Sequence, residues 1–233
     1  MGDQHDGGYV LCSNFVKGRS TALLNMGVEG RDMFGCDVTT KWSMPNYQFD
    51  CTNNRAPICN TNDNQNKFFG ICLWQRAEKS SRWHLESLKD MIDNRGLTKK
   101  HIMIKMDVEG GEYKGFRTLP LEYLEYIDQI FLEFHIDGPG MKYQPEAHWG
   151  NVDIIKALDK HFVSIWLHQN SCWPPNYHLR SKRYMPAYTI EVTLVNRKII
   201  KLNSQKRSHG EIKGPNGQNL YGIRRCEFPD DHD

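Results

Sequence analysis

The chain has no C-x-x-C pair, no long apolar run, no strong excess of either charge, and no internal repeat or low-complexity tract. Each absence closes a class. Without thiols at metal-ligand spacing, a Cys-rich zinc module is not the organising unit. No run approaches the ~20 apolar residues of a membrane helix, so no membrane span is expected. The opening MGDQHDGG does not read as a signal peptide. A net charge of +2 offers no electrostatic case for nucleic acid as the main partner. With 39% hydrophobic and 25% charged residues, the chain reads as soluble and globular rather than disordered. Its 233 residues suffice for one large domain and barely for two.

Cysteine is present but unpatterned: Cys12, Cys36, Cys51, Cys59, Cys72, Cys172 and Cys226. An odd number without metal spacing fits mostly reduced, partly buried thiols. One loop disulfide, Cys51 with Cys59, is compatible with the spacing. The redox compartment stays open, with the cytoplasm favoured over secretion.

What organises the chain is Ile102 to Tyr113, IMIKMDVEGGEY. Ile102, Met103, Ile104 and Met106 form a nearly unbroken apolar run, as in a strand buried on both faces of a parallel sheet. It stops at Asp107, and Glu109, Gly110, Gly111 and Glu112 lead into a helix. Charge is costly beside a buried strand, and in open α/β sheets that edge is where ligands bind. Glu109 and Glu112 also suit a helix first turn through its dipole.

From the N-terminus, Asp6-Gly7-Gly8 is a turn signal ahead of a strand-like Tyr9 to Cys12. Ala22 to Met26 reads as a buried strand, Gly27-Val28-Glu29-Gly30 as a tight glycine loop, and Arg31 to Lys41 as helix-compatible. Asp50 lies about 20 residues past Gly30, ending Asn46 to Phe49, where Rossmann-type units place the carboxylate that holds ribose hydroxyls. Asn53 to Lys67 is a polar surface loop. Phe68 to Trp74 is the next apolar run, expected as one third strand, and Trp74 is a candidate to stack on an adenine. Arg82 to Arg95 has helical spacing, with Gly96 as its stop. After the central strand and its helix, a short helical stretch follows Pro120.

Ile130 to Ile136 reads as a fifth strand, with Glu133 and His135 on one face. Val152 to Leu158 is an amphipathic helix, Phe162 to Leu167 a sixth strand followed by His168, and Tyr188 to Val195 a seventh. Asn203 to Asp233 reads as a polar tail. Late strands without a crossover helix predict an antiparallel edge on a parallel sheet. The expected fold is therefore α/β, a Rossmann-like doubly wound seven-stranded sheet, mostly parallel with an antiparallel edge strand. The expected domain spans 1–196, with a polar extension over 197–233.

Taken together, these segments resemble the FkbM-type methyltransferases, and more closely the methyltransferase-like protein 24 group, over roughly Asp6 to Val195. Ile104-Lys105-Met106-Asp107-Val108-Glu109-Gly110-Gly111-Glu112 is similar to the family's strand-turn-helix hallmark. Asp6-Gly7-Gly8, Met26 to Gly30, Phe49-Asp50-Cys51-Thr52, Leu85 to Leu88, Glu133-Phe134-His135 and His168 to Cys172 match further steps in order. Phe34-Gly35-Cys36-Asp37 departs from the Phe-Glu or Phe-Asp of many relatives.

The resemblance implies S-adenosylmethionine as cofactor and methyl transfer, with oxygen as the acceptor atom of a small molecule or glycan. It places Gly27, Gly30, Asp50, Thr52, Trp74 and Asp107 around the cofactor. Methyl transfer needs close alignment of donor and acceptor and a route for the acceptor's proton. Asp107, Glu109, His135 and His168 are the candidates for that work, the imidazoles being the better bases near neutrality. A sharper variant has Asp107, Glu133 and His135, with His168 near the same edge, holding a divalent metal that lowers a hydroxyl's pKa. Nothing in the spacing demands a metal, and none is expected.

Two other classes compete. A Rossmann-type nucleotide-dependent oxidoreductase shares the glycine loop but does not predict Asp107 to Glu112, and the full G-x-G-x-x-G is missing. A catalytically inactive methyltransferase-like module would bind a partner instead, and the basic run Arg197, Lys198, Lys201, Lys206 and Arg207 is a candidate contact for an acidic one.

Overall fold

The structure, a computed structural model, describes residues 1–2, 8–16, 18–59, 64–79, 83–135, 145–170, 189–200, 212–213 and 219–220. A single turn, α1 (Ser13–Val16), precedes β1 (Leu23–Met26), α2 (Met33–Trp42), β2 (Asn46–Phe49) and β3 (Asn66–Phe69). Then come β4 (Ile71–Trp74), β5 (Glu78–Lys79), β6 (His84–Ser87), α3 (Leu88–Asp93), β7 (Ile102–Met106) and α4 (Glu112–Arg117). A 3-10 helix (Leu121–Tyr126) leads to β8 (Ile127–His135), α5 (Pro145–His161), β9 (Phe162–Asn170) and β10 (Thr189–Asn196). Two short strands, β11 (Ile212–Lys213) and β12 (Asn219–Leu220), pair with each other. Among the described residues no helix is long and apolar enough to cross a membrane.

Seven strands form the main sheet in the order β3-β2-β1-β7-β8-β10-β9. Strands β1, β2, β3, β7 and β8 pair in parallel. Strand β10 runs antiparallel to both β8 and β9. The expected antiparallel edge is thus present, with β10 second from the outside and β9 outermost. The chain leaves β1 for β2 and β3 on one side and returns through β7 on the other. The crevice beyond the carboxyl ends of β1 and β7 is therefore the topological switch point of the sheet.

Both faces of the sheet are covered, which is why its strands read as apolar runs rather than alternations. On one face Ile102, Ile104, Met106, Ile130 and Leu132 pack with Phe116, Leu119, Ile154 and Leu158. On the other, Met103, Phe131, Val163, Ile165 and Val195 pack with Phe34 and Val38 of α2 and with Tyr9. The second face changes character along the strands: Met103 and Phe131 give way, at period 2, to Lys105, Glu133 and His135 at the carboxyl edge.

Four local expectations are corrected. Tyr9 to Cys12 is not a strand; its job is packing, with the wholly buried Tyr9 ring 5.6–5.8 Å from Phe34, Phe131 and Trp166. The run Phe68 to Trp74 is two strands, divided at the exposed Gly70, and β4 leaves the main sheet for a small one ordered β4-β6-β5. The expected helix from Arg82 begins only at Leu88, because Leu85 pairs with Cys72 in that small sheet. Ser87 then caps α3, its Oγ accepting from Asp90 N at 3.1 Å. Strand β9 continues to Asn170, so His168 stands on a strand rather than in a loop.

The thiol expectation is also overturned. Cys36 is bonded to Cys59 and Cys51 to Cys72, with Cα atoms 5.6 and 4.9 Å apart, and Cys12 is disulfide-bonded as well. The reason is tertiary. Ile58 pairs with Arg31 just ahead of α2, which brings Cys59 beside Cys36, and β4 lies beside β2. That juxtaposition separates Cys51 from the partner its sequence spacing suggested. At the C-terminal end Ile200 still packs in the second core cluster, beyond the expected boundary at residue 196. Most of the expected tail, Asp6-Gly7, Asp137 to Gly140 and Ser171-Cys172 lie outside the described residues.

Candidate active site

The site is built at the carboxyl ends of β1, β2, β7 and β8. Gly27 follows β1 at φ 74°, a left-handed conformation that glycine adopts without strain. Its N–H donates to Phe49 O at 3.0 Å and its carbonyl accepts from Lys105 Nζ at 3.3 Å. A Cβ there would lie 1.6 Å from the Asp107 carbonyl oxygen, so only glycine lets the two strand ends meet. Gly30 differs: a Cβ would meet nothing within 4 Å.

Asp50 ends β2 and is buried. Its Oδ2 accepts from Glu29 N at 2.9 Å, and its Oδ1 accepts from Thr52 N at 2.8 Å and Thr52 Oγ1 at 2.6 Å. The carboxylate therefore ties the glycine loop to the end of β2, and Thr52 serves that clasp. Of roughly four acceptor positions on a carboxylate, three are used. Trp74 closes β4 of the small sheet, half-buried, with Lys114 Nζ 4.0 Å from its ring centroid. It therefore does not end a third strand of the main sheet, against expectation.

The turn from Asp107 to Glu112 carries the densest chemistry. Asp107 is partly exposed, its Oδ2 3.5 Å from the buried Lys105 Nζ. Glu109 sits at φ 53° with its side chain 88% exposed. Glu112, the first residue of α4, is wholly buried. Its Oε1 accepts from Val108 N at 2.9 Å and lies 3.1 Å from His135 Nδ1. His135 Nε2 lies 3.4 Å from Glu109 Oε2. Burial alone would lower the imidazole's pKa. The hydrogen bond and charge of Glu112, with the charges of Glu109 and Glu133, outweigh burial and raise it to about 9. An imidazole held this way keeps its proton at neutral pH, the reverse of what a general base needs.

Across β8, β10 and β9, Glu133 pairs with Glu191 and Glu191 with His168. Direct partners share a sheet face, so these three form one row, with His135 two residues beyond Glu133. His168 Nδ1 lies 2.7 Å from Glu191 Oε2. Asp107, Glu133 and His135 meet directly: one ligand atom from each lies within 4.8 Å of the others. The structure thus gathers Asp107, Glu109, Glu133 and His135 into one cluster and joins His168 to it through Glu191.

Two participants escaped the sequence reading. Glu191 looked like the polar half of an alternating strand, and only the register puts it between Glu133 and His168. Asp32 reads only as part of the helix-compatible segment Arg31 to Lys41. It caps α2 through Gly35 N at 2.7 Å, while its other oxygen accepts from Asn25, Asn46 and Gln48 at 2.7–2.9 Å. A Cβ on Gly35 would lie 2.2 Å from that carboxylate, which accounts for glycine at this position. The Asp-x-x-Gly spacing at a helix start was the available signal. No protein-family model matches this chain, and no curated protein matches it.

Proposed function

We propose that this protein is an S-adenosylmethionine-dependent methyltransferase acting on a hydroxyl oxygen of a small molecule or glycan. The observation that carries the reading is the strand order. Numbered within the main sheet alone it runs 3-2-1-4-5-7-6, with the seventh strand antiparallel. That is the arrangement of Rossmann-like methyltransferases, and the resemblance around Asp107 points the same way.

The residues present fit the cofactor. The glycine turn at Gly27 and the carboxylates Asp107 and Glu109 stand at the switch point, suited to a cationic amino-acid moiety. Asp50 retains an acceptor position for a ribose hydroxyl beside the three it uses on the loop. The bound cofactor would supply an activated methyl group. The chain's own part is to orient, to exclude water and to take the acceptor's proton. His168, held by Glu191 at 2.7 Å on the same sheet face as the cluster, is a candidate for that proton transfer. The disulfides further favour maturation in an oxidising compartment over the cytoplasm first expected.

The engagement of Asp50 by its own loop favours a second reading, a methyltransferase-like module that binds without catalysing. Calorimetric titration with S-adenosylmethionine and S-adenosylhomocysteine, on wild type and Asp50→Asn, separates the two. Micromolar binding weakened by Asp50→Asn is expected. A folded chain that binds neither compound would remove the methyltransferase reading and leave the module.

A further inference from the structure

Asp107 ends β7, and Glu133 and His135 share a face of β8. Parallel pairing of the two strands brings one ligand atom from each residue within 4.8 Å of the others. On an octahedral ion with bonds of about 2.1 Å, ligand atoms stand about 3 Å apart when adjacent and about 4 Å apart when opposite. Three ligands on one octahedron include at least two adjacent pairs, so the groups close by at most about 2 Å, within reach of side-chain rotation, to share one ion.

Two further features point the same way. His135 is oriented as metal-binding histidines are: Nδ1 rests on Glu112 Oε1 at 3.1 Å, and Nε2 faces the mouth of the cluster beside Glu109. A carboxylate behind the imidazole holds the proton on Nδ1, and the cation takes the place of the proton that His135 otherwise carries on Nε2. The second feature is Glu112 itself. It is 0% exposed, and its Oε2 has no hydrogen-bond partner among the described residues. A buried carboxylate oxygen without a donor is costly, and a cation close by offsets that cost.

We propose that Asp107, Glu133 and His135 bind one divalent cation of the Mn²⁺ and Mg²⁺ class, with Glu112 supporting the histidine. The donor set selects the class. Two carboxylates and one imidazole, with no thiolate among them, suit hard to borderline ions rather than a structural zinc. Three protein ligands leave positions for water and for an oxygen of a substrate. The site stands on this geometry alone. Where the methyl-transfer reading also holds, the ion binds the acceptor hydroxyl and favours its deprotonation.

The test titrates Mn²⁺ into the metal-stripped full chain, followed by the loss of the free-ion electron paramagnetic resonance signal. S-adenosylmethionine is left out, so failure of the methyl-transfer reading does not touch the outcome. Wild type is expected to bind one Mn²⁺ per chain, displaceable by Mg²⁺. Glu133→Gln and Asp107→Asn each weaken it at least tenfold, Glu112→Gln by about 10- to 100-fold, and the exposed Glu122→Gln leaves it unchanged. Circular dichroism and the urea midpoint establish folding. If the buried Glu133→Gln does not fold, the partly exposed Asp107→Asn decides alone. No stoichiometric binding by the folded wild type, or equal affinity in wild type and Asp107→Asn, overturns the proposal.

Discussion

Gly27→Ala isolates the contact on which the switch point depends. The added Cβ would lie 1.6 Å from the Asp107 carbonyl oxygen and 2.7 Å from its carbon. One of the two strand ends must therefore move by more than an ångström. The loop cannot rotate away freely, because Gly27 N–H is bonded to Phe49 and its carbonyl to Lys105. An alanine at φ 74° adds about 1–2 kcal/mol of left-handed strain. Forced repacking adds about 1–3 kcal/mol. The expected loss of about 2–5 kcal/mol is a large share of a typical total of about 5–15 kcal/mol. Urea unfolding followed by tryptophan fluorescence measures it as a fall in midpoint at constant slope. Gly30→Ala is the reference, since a Cβ there meets nothing within 4 Å, and it should stay within about 0.5 kcal/mol of wild type. Equal midpoints for the two variants would refute the close approach of Gly27 to Asp107.

Three other outcomes follow from buried groups. Asp32→Ala removes the acceptor of four donors and should cost about 3 kcal/mol or more; an unchanged urea midpoint would contradict the network. Arg95 is paired with Glu86, both side chains under a tenth exposed, and its guanidinium lies 4.8 and 4.4 Å from the ring centroids of Phe49 and Phe69. Arg95→Met should lose about 3–5 kcal/mol by stranding Glu86, and adding Glu86→Leu should restore part of it; a double variant weaker than the single one speaks against the pair. Replacing Cys36 and Cys59 together by serine opens a loop of sequence separation 23 and should lower stability by about 3 kcal/mol, read in the same assay with and without reductant.

Much of the scaffold was legible in the chain. Ile102 to Met106 is apolar because both faces of β7 are covered, and a run of that length bounded by Asp107 and glycines announces a central strand before any pairing is known. Gly27, the carboxylate ending β2 and the turn from Asp107 to Glu112 were readable for the same reason: strand end, backbone turn and helix start are encoded within a few residues. The two late strands without a helix between them were enough to expect an antiparallel edge. Periodicity could not divide Phe68 to Trp74, because a continuous apolar run carries no record of which sheet each half joins.

Side chains that meet across the fold were not legible. Glu112 under His135, Glu191 between Glu133 and His168, Asp32 against Asn25, Asn46 and Gln48, and the pairing of Cys36 with Cys59 join residues that no local pattern connects. Burial adds a second reason. A carboxylate's hydrogen bonds, and the proton it holds on a neighbouring imidazole, depend on what excludes water from it, and that is decided by packing. The sequence by itself determined the central strands β1, β2, β7 and β8 and the turns that follow β1 and β7. Only the tertiary structure decided which charges share one edge of the sheet, because partner choice there is set by strand register and order.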